Sequence, residues 1–147
     1  MTISIVAVGK IKEKYMTQAI NDYVKRLGRY GKVEIVEVNE ETSVEKEGEN
    51  LLNRIPKGSY VIVLDLYGKE IDSVEFAQVF EKAQINGYSR FSFVIGGSEG
   101  ISDEVRKQAD MLLCLSKMTF THQMARFIFL EQIYRAMKIN NNEPYHK

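Results

Sequence analysis

Tyr60-Val61-Ile62-Val63-Leu64, followed by Asp65-Leu66-Tyr67-Gly68, and Phe91-Ser92-Phe93-Val94-Ile95, followed by Gly96-Gly97, are compact runs of β-forming residues that each end in a turn. Such runs predict strands covered on both faces, the condition of a parallel strand lying between helical layers. Working outward, Thr2–Val8 ended by Gly9, then Val33–Val38 and Met111–Leu115, bring the predicted strands to five. Between them Ala19, Ile20, Tyr23, Val24 and Leu27 recur at helical spacing. So do Phe76, Ala77, Val79, Phe80 and Ala83, after Asp72 and Ser73 as candidate caps. Val44–Ile55 predicts a weaker helix and Gln123–Ile139 the longest one, ended by Asn140-Asn141-Asn142 and barred from resuming by Pro144. Alternating strand and helix describes an α/β fold, a mainly parallel sheet with helices on both faces, as a single domain over residues 1–147.

Composition narrows the class. At 147 residues and 16.9 kDa the chain has the size of one domain, with no room for a separate substrate-binding one. Its 44% hydrophobic and 27% charged residues exclude a disordered or fibrous chain. No apolar run approaches the roughly 18 residues that span a bilayer, and Met1–Val8 lacks the basic start of a signal peptide, so a cytoplasmic protein without membrane contact is expected. The lone Cys114 excludes an internal disulfide and a thiolate zinc site, and reads as core. Net charge is zero but unevenly spread: seven basic and two acidic side chains over residues 1–32, eight and sixteen over 33–110, five and two over 111–147. If the basic ends meet, they make one positive surface able to receive phosphate; otherwise the blocks are solvated helix faces. The acidic stretch Glu34 to Glu49 reads as solvated surface. Met124, Phe127, Ile128, Phe129 and Leu130 make the last helix apolar over more than the roughly 100° needed to sit on one sheet. A second subunit covering that band is expected; a thick single-chain core is the alternative.

Ligands of open α/β sheets bind beyond the carboxyl ends of strands, which directs attention to the loops after Leu64, Ile95 and Leu115. The first such loop of the chain, Gly9-Lys10-Ile11-Lys12-Glu13-Lys14, is neither a dinucleotide turn nor a P-loop, which argues against nicotinamide and NTPase chemistry. Gly96-Gly97-Ser98-Glu99-Gly100, leading into a helix capped by Ser102, is either a cradle where backbone approaches a ligand or a tight turn. Ser116-Lys117-Met118-Thr119-Phe120-Thr121-His122-Gln123 then places His122 one helical turn before Arg126, imidazole and guanidinium on one face. The plainer reading makes His122 a capping residue, Lys117 and Arg126 solvated charges, and Met118 and Phe120 core. Pro144-Tyr145-His146-Lys147 gathers an aromatic ring, an imidazole and a cation, or is simply a tail docked by Tyr145.

Taken together, Val94–Gly100, Leu115–Gln123, Arg126, Glu131-Gln132-Ile133-Tyr134-Arg135-Ala136, the final Pro144–Lys147 and the opening Val6-Ala7-Val8-Gly9-Lys10 resemble the small SPOUT methyltransferases that act on large-subunit ribosomal RNA. The resemblance covers essentially the whole chain and is closest to members that methylate N3 of a pseudouridine. It implies a homodimer whose C-terminal part is threaded into a trefoil knot, against the general rule. It implies S-adenosyl-L-methionine as donor, held at Leu64, Gly96, Leu115, Ser116, Lys117, Met118, Thr119 and Phe120, with no metal. It also implies that His122, Arg126, Tyr145 and His146 face the target nucleotide, in a site completed by the partner subunit and presented with rRNA in the assembled ribosome. Thr121 replaces a proline common in relatives, Asn142 replaces a glycine, and the chain between the second and third strands is short. The N3 proton must leave, so His146 or His122 is a candidate base, with Arg126 or Lys147 holding phosphate or a base oxygen and Tyr145 stacking on the base. A noncatalytic ribosome-binding module, and a SPOUT enzyme acting on tRNA or a ribose hydroxyl, are the competing readings.

Overall fold

The computed structural model describes residues 1–147. Ten elements alternate along the chain: β1 Thr2–Val8, α1 Lys14–Leu27, β2 Lys32–Val38, α2 Val44–Leu52, β3 Tyr60–Lys69, α3 Ser73–Ile85, β4 Arg90–Ile95, α4 Asp103–Gln108, β5 Met111–Leu113 and α5 His122–Asn140. The five strands form one sheet in the order β2-β1-β4-β3-β5, and every pairing is parallel. Alternation along the strands assigns the faces. Ile3, Ile5 and Ala7 of β1, Ile62 of β3, and Phe91, Phe93 and Ile95 of β4 join α1, α3 and α5 in one core. Val6, Val8, Val61, Val63 and Val94 point the other way, onto Leu51 of α2 and Val105 of α4. Steps in one direction along the sheet, β1 to β2 and β3 to β4, carry their helices on the first face; the opposite steps carry theirs on the second. All four crossovers therefore share one hand, as right-handed connection of parallel strands requires.

Local signals set most boundaries. Asp72 caps α3 through a capping box with Glu75, and Ser102 caps α4 by accepting from Val105 N. Thr121 caps α5 by accepting from Met124 N. Asn142 takes φ 54°, the left-handed conformation that a glycine at this position would supply and that asparagine tolerates. The acidic stretch departs from expectation at two places: Glu47 is buried, its carboxylate accepting from Glu41 N at 3.0 Å, and Glu37 is the partner of a buried cation. Helix α2 ends at Leu52, short of Ile55, and β5 ends at Leu113, short of Leu115. No helix is long and apolar enough to cross a membrane.

Helix α5 lies between α1 and α3, so its wide apolar band is largely consumed inside the chain: Phe129, Leu130, Ile133, Tyr134, Ala136 and Met137 are buried there. Among them Phe93 meets Phe129 edge-to-face at 4.9 Å and Phe80 at 5.7 Å. The first turns of α5 are fixed by Arg126, only 2% exposed. Its Nη1 donates to Glu37 Oε2 at 2.5 Å and its Nη2 to Gly9 O at 3.1 Å, while Nε has no partner.

Two outcomes in urea unfolding check this account. Phe93→Ala should cost about 3–5 kcal/mol, whereas Ile85→Ala on the exposed side of α3 should change stability by less than about 0.5 kcal/mol. Glu37→Ala, which strands a buried guanidinium, should cost about 3 kcal/mol and more than Arg126→Met, after which the partly exposed Glu37 carboxylate rehydrates.

Candidate active site

The loops that follow β3, β4 and β5 at their carboxyl ends converge on one cleft of about 380 Å³, within the size range of small-molecule sites. Residues 65–68 leave the β3–β5 ladder as a finger: Leu113 pairs with Leu64 on one side of the irregularity and with Lys69 on the other. Asp65 shapes the finger, its Oδ1 accepting from Tyr67 N at 3.2 Å and its Oδ2 from Arg106 Nε of α4 at 2.7 Å. Gly68 is needed where the finger returns, since a Cβ there would stand 2.7 Å from the Leu113 backbone nitrogen. Gly96 is needed for a related reason. A Cβ on it would lie 2.5 Å from Gly100 O and 2.8 Å from Ile101 Cδ1, so the missing side chain serves the turn's own closure. The contacts show a tight turn, and the same glycine loop lines the cleft, so the two readings of it are compatible.

The loop from Leu115 to Phe120 forms the third wall. Ser116 Oγ accepts from Met118 N at 3.0 Å and Cys114 Sγ donates to Ser116 O. The N–H groups of Leu115, Lys117, Thr119 and Phe120 donate to no protein acceptor. Backbone donors left free beside the apolar surfaces of Leu64, Ile95, Leu113 and Leu115 suit a ligand with a flat apolar face and edge acceptors. Asp65 and Glu99 add carboxylates to the lining. Nowhere do three His, Cys, Asp or Glu side chains gather as a metal ion would need.

Of the residues named from sequence, Leu64, Gly96, Leu115, Ser116, Met118, Thr119 and Phe120 line this cleft, as does His122. Lys117 does not; it is exposed and reaches Glu70 at 3.9 Å. Met118, which plain apolarity would bury, is 77% exposed at the cleft. Arg126 is a correction. It does share a helix face with His122, but that face closes on the end of β1: the guanidinium lies under Gly9, and His122 Nε2 lies 3.6 Å from where a Gly9 Cβ would be. Its charge is used by Glu37 and cannot face a nucleotide in this arrangement.

Tyr145 and His146 gather elsewhere. Tyr145 Oη meets Tyr23 Oη at 2.9 Å and Glu131 Oε2 at 3.1 Å, and its ring packs edge-to-face on Tyr134. Arg135 sits over the Tyr145 ring at 4.8 Å, is gripped by Glu131 through two nitrogens, and contacts His146 Nδ1 at 3.0 Å. Burial, the Tyr23 hydroxyl and the charge of Glu131 hold the Tyr145 phenol well above the usual tyrosine range, so at neutral pH it is a hydrogen-bond donor. Arg135, not named as a site residue from the sequence, is the cation that the structure brings to Tyr145 and His146. The i, i+4 spacing of Glu131 and Arg135 was the available signal. Thirteen helical positions separate His122 from Arg135, about 20 Å along α5. The tail cluster and the cleft therefore occupy different ends of the chain's last helix.

Over 159 aligned positions spanning the whole of both chains, the sequence is 48% identical to Ribosomal RNA large subunit methyltransferase H of Clostridium perfringens (strain 13 / Type A). Its identity to the protein of that name from Clostridioides difficile (strain 630) is 49%, with the same coverage. Among solved structures the fold is similar to a probable methylase family protein from Haemophilus influenzae Rd KW20, with a TM-score of 0.57, 16% identity, and 99% of this chain and 70% of that one covered. It is likewise similar to the tRNA (m1G37) methyltransferase from Aquifex aeolicus, with a TM-score of 0.55, 12% identity and 92% and 70% covered. Residues 1–146 match the family described as "Predicted SPOUT methyltransferase". An all-parallel sheet whose late loops close a cleft, with that match over nearly every residue, places the chain in the SPOUT methyltransferase family.

Proposed function

We propose that this chain transfers a methyl group from S-adenosyl-L-methionine to N3 of a pseudouridine in large-subunit ribosomal RNA, acting in the cytoplasm as a homodimer on the assembled ribosome. The observation that carries the reading is the cleft whose Leu115–Phe120 wall leaves its backbone donors free between apolar surfaces. The names of full-length relatives supply the RNA class. When bound, the donor supplies an electrophilic methyl on a sulfonium. Leu64, Leu115 and Phe120 would cover its apolar faces, with Ser116, Met118 and Thr119 along the same wall and Gly96 keeping the opposite turn closed. Lys117, which points away, contributes its backbone only. The knotted C-terminal part belongs to the same reading, supported by membership of the SPOUT family.

The chain's side chains then divide the work. A tail about 20 Å from its own cleft can complete a site only in a second copy, so Tyr145, His146 and Arg135 of one protomer would face the cleft of the other. Arg135 can only donate, so His146 Nδ1 accepts and the neutral ring carries its proton on Nε2. His146 thus offers an N–H to a base oxygen and favours the imide anion. His122, at the cleft and free of side-chain hydrogen bonds, is the imidazole able to take the N3 proton. Tyr145, held neutral, donates or stacks. Positioning and hydrogen bonding of this kind suffice for an in-line methyl transfer. The shape of the assembled ribosome would select the target, and naked rRNA fragments should react more slowly.

In calorimetry, S-adenosyl-L-methionine at a hundredfold excess over its dissociation constant should stabilise the fold by about 2.7 kcal/mol; a noncatalytic module would show no shift. Mass spectrometry of rRNA from a strain lacking the gene should show one pseudouridine without its methyl, whereas loss from tRNA or from a ribose would replace this reading with its competitor. Gly96→Val, which forces the turn away from Gly100, should abolish donor binding, and removal of Tyr145, His146 and Lys147 should spare it. Each variant alone should be inactive, yet mixing them should recover activity in heterodimers that join an intact cleft to an intact tail. No recovery would show that the site is built within one chain.

A further inference from the structure

Lys10, Lys12 and Lys14 leave the carboxyl end of β1 within five residues, all exposed and none in an ion pair. That separates them from Lys32, Lys46, Lys107 and Lys138, each of which has a carboxylate within 3.5 Å. The loop is also anchored. Ile11 turns inward onto the core, Met16 is buried one turn into α1, and Tyr15 is left 71% exposed. Its first residue, Gly9, is bonded at both backbone groups: N–H to Val38 O at 2.8 Å and C=O to the buried Arg126. His122, which lines the cleft, adjoins the same glycine. Three unpaired cations and an exposed ring thus follow directly on Gly9, the glycine that the cleft residue His122 adjoins, with Lys117 exposed on the β5–α5 loop. Glu13 within the loop and Glu40 beside Gly9 are carboxylates that oppose this charge.

We infer that Lys10–Tyr15, the β1–α1 loop with the first residues of α1, is the RNA-docking surface of this protein, its lysines meeting phosphates that flank the target nucleotide and Tyr15 stacking on an unpaired base. The inference rests on the methyltransferase reading and names the part of the chain that grips the substrate. Cations without protein partners keep their counter-ions in solution and release them on meeting phosphate, which is the source of RNA affinity at such a surface. The buried Arg126 gives the loop a fixed position relative to His122, so grip and cleft are in register.

The test compares full-length wild type, the triple variant Lys10→Gln, Lys12→Gln, Lys14→Gln, and a control of equal charge loss, Lys57→Gln, Lys82→Gln, Lys107→Gln, in binding to purified ribosomes over a potassium chloride series. The loop variant should lose roughly tenfold or more in affinity, and its log–log salt slope should fall by about two to three. Its thermal midpoint and its dissociation constant for S-adenosyl-L-methionine should stay unchanged, and KM for ribosomes should rise with kcat retained. Tyr15→Ala should weaken binding without altering the slope. A loop variant with wild-type affinity and slope, or a control that falls as far, overturns the surface. If the wild type fails to bind the donor or to methylate rRNA, the enzyme reading falls, while the ribosome-binding comparison still decides the surface; wild type that binds no ribosomes overturns both.

Discussion

A guanidinium that water does not reach holds the working end of this molecule together. Arg126 is on the second turn of α5, yet it bonds the carbonyl of Gly9, the residue after β1, and a carboxylate of β2. Desolvating an arginine is costly, and its Nε remains unpaired, a further penalty of about 1–3 kcal/mol. The return is a fixed geometry. The loop from Leu115 to Phe120 has no regular structure, so its position depends on the two ends it joins: β5, paired through Leu113 to β3, and the first turns of α5, tied through Arg126 to β1 and β2. With both ends fixed, the loop keeps its place along the cleft although four of its backbone donors make no hydrogen bond.

Much of the fold was legible because its signals are local. Five apolar runs marked five strands, and Asp72 and Ser102 marked helix starts, whereas the wide band on α5, read first as a seat for a second subunit, is largely covered by α1 and α3. What escaped depends on residues far apart. Leu115 prolongs an apolar run, so a reading by run length extends β5 over it, whereas the ladder stops at Leu113 and Leu115 lines the cleft. The extension of β3 to Lys69 needs a partner at Leu113 that the local sequence around Lys69 does not show. Glu37 sits in an acidic stretch that reads as solvated, and the cation it meets lies 89 positions away.

The candidate site divided along the same line. Residues on cleft loops were found by motif, because loops after parallel strands collect at one end of a sheet whatever the details of packing. The cations were harder. Arg126 and Arg135 both lie on α5 and both carry a carboxylate partner, so residue type does not separate them, and the i, i+4 partner of Arg135 marks a pair without saying which cation is enclosed. Burial does: Arg126 is enclosed beneath Gly9, while Arg135 faces Tyr145 and His146 at the surface with donors directed toward them.

The separation of cleft and tail along one rigid helix is the strongest argument for two copies. Helix α5 is packed along most of its length between α1 and α3, so it cannot bend to bring Arg135 toward His122. The tail is equally committed. Glu143 accepts from Tyr30 and Lys138, a hydrogen bond and a charge that hold its carboxyl below the usual range, and Tyr145 is clasped by Tyr23 and Glu131. A single chain would have to break these contacts to close its own site. A second copy needs only an apolar surface on which to seat. The exposed Leu66, Tyr67, Met118, Phe120 and Met124, gathered around the cleft and the start of α5, provide one where a partner's tail would have to arrive.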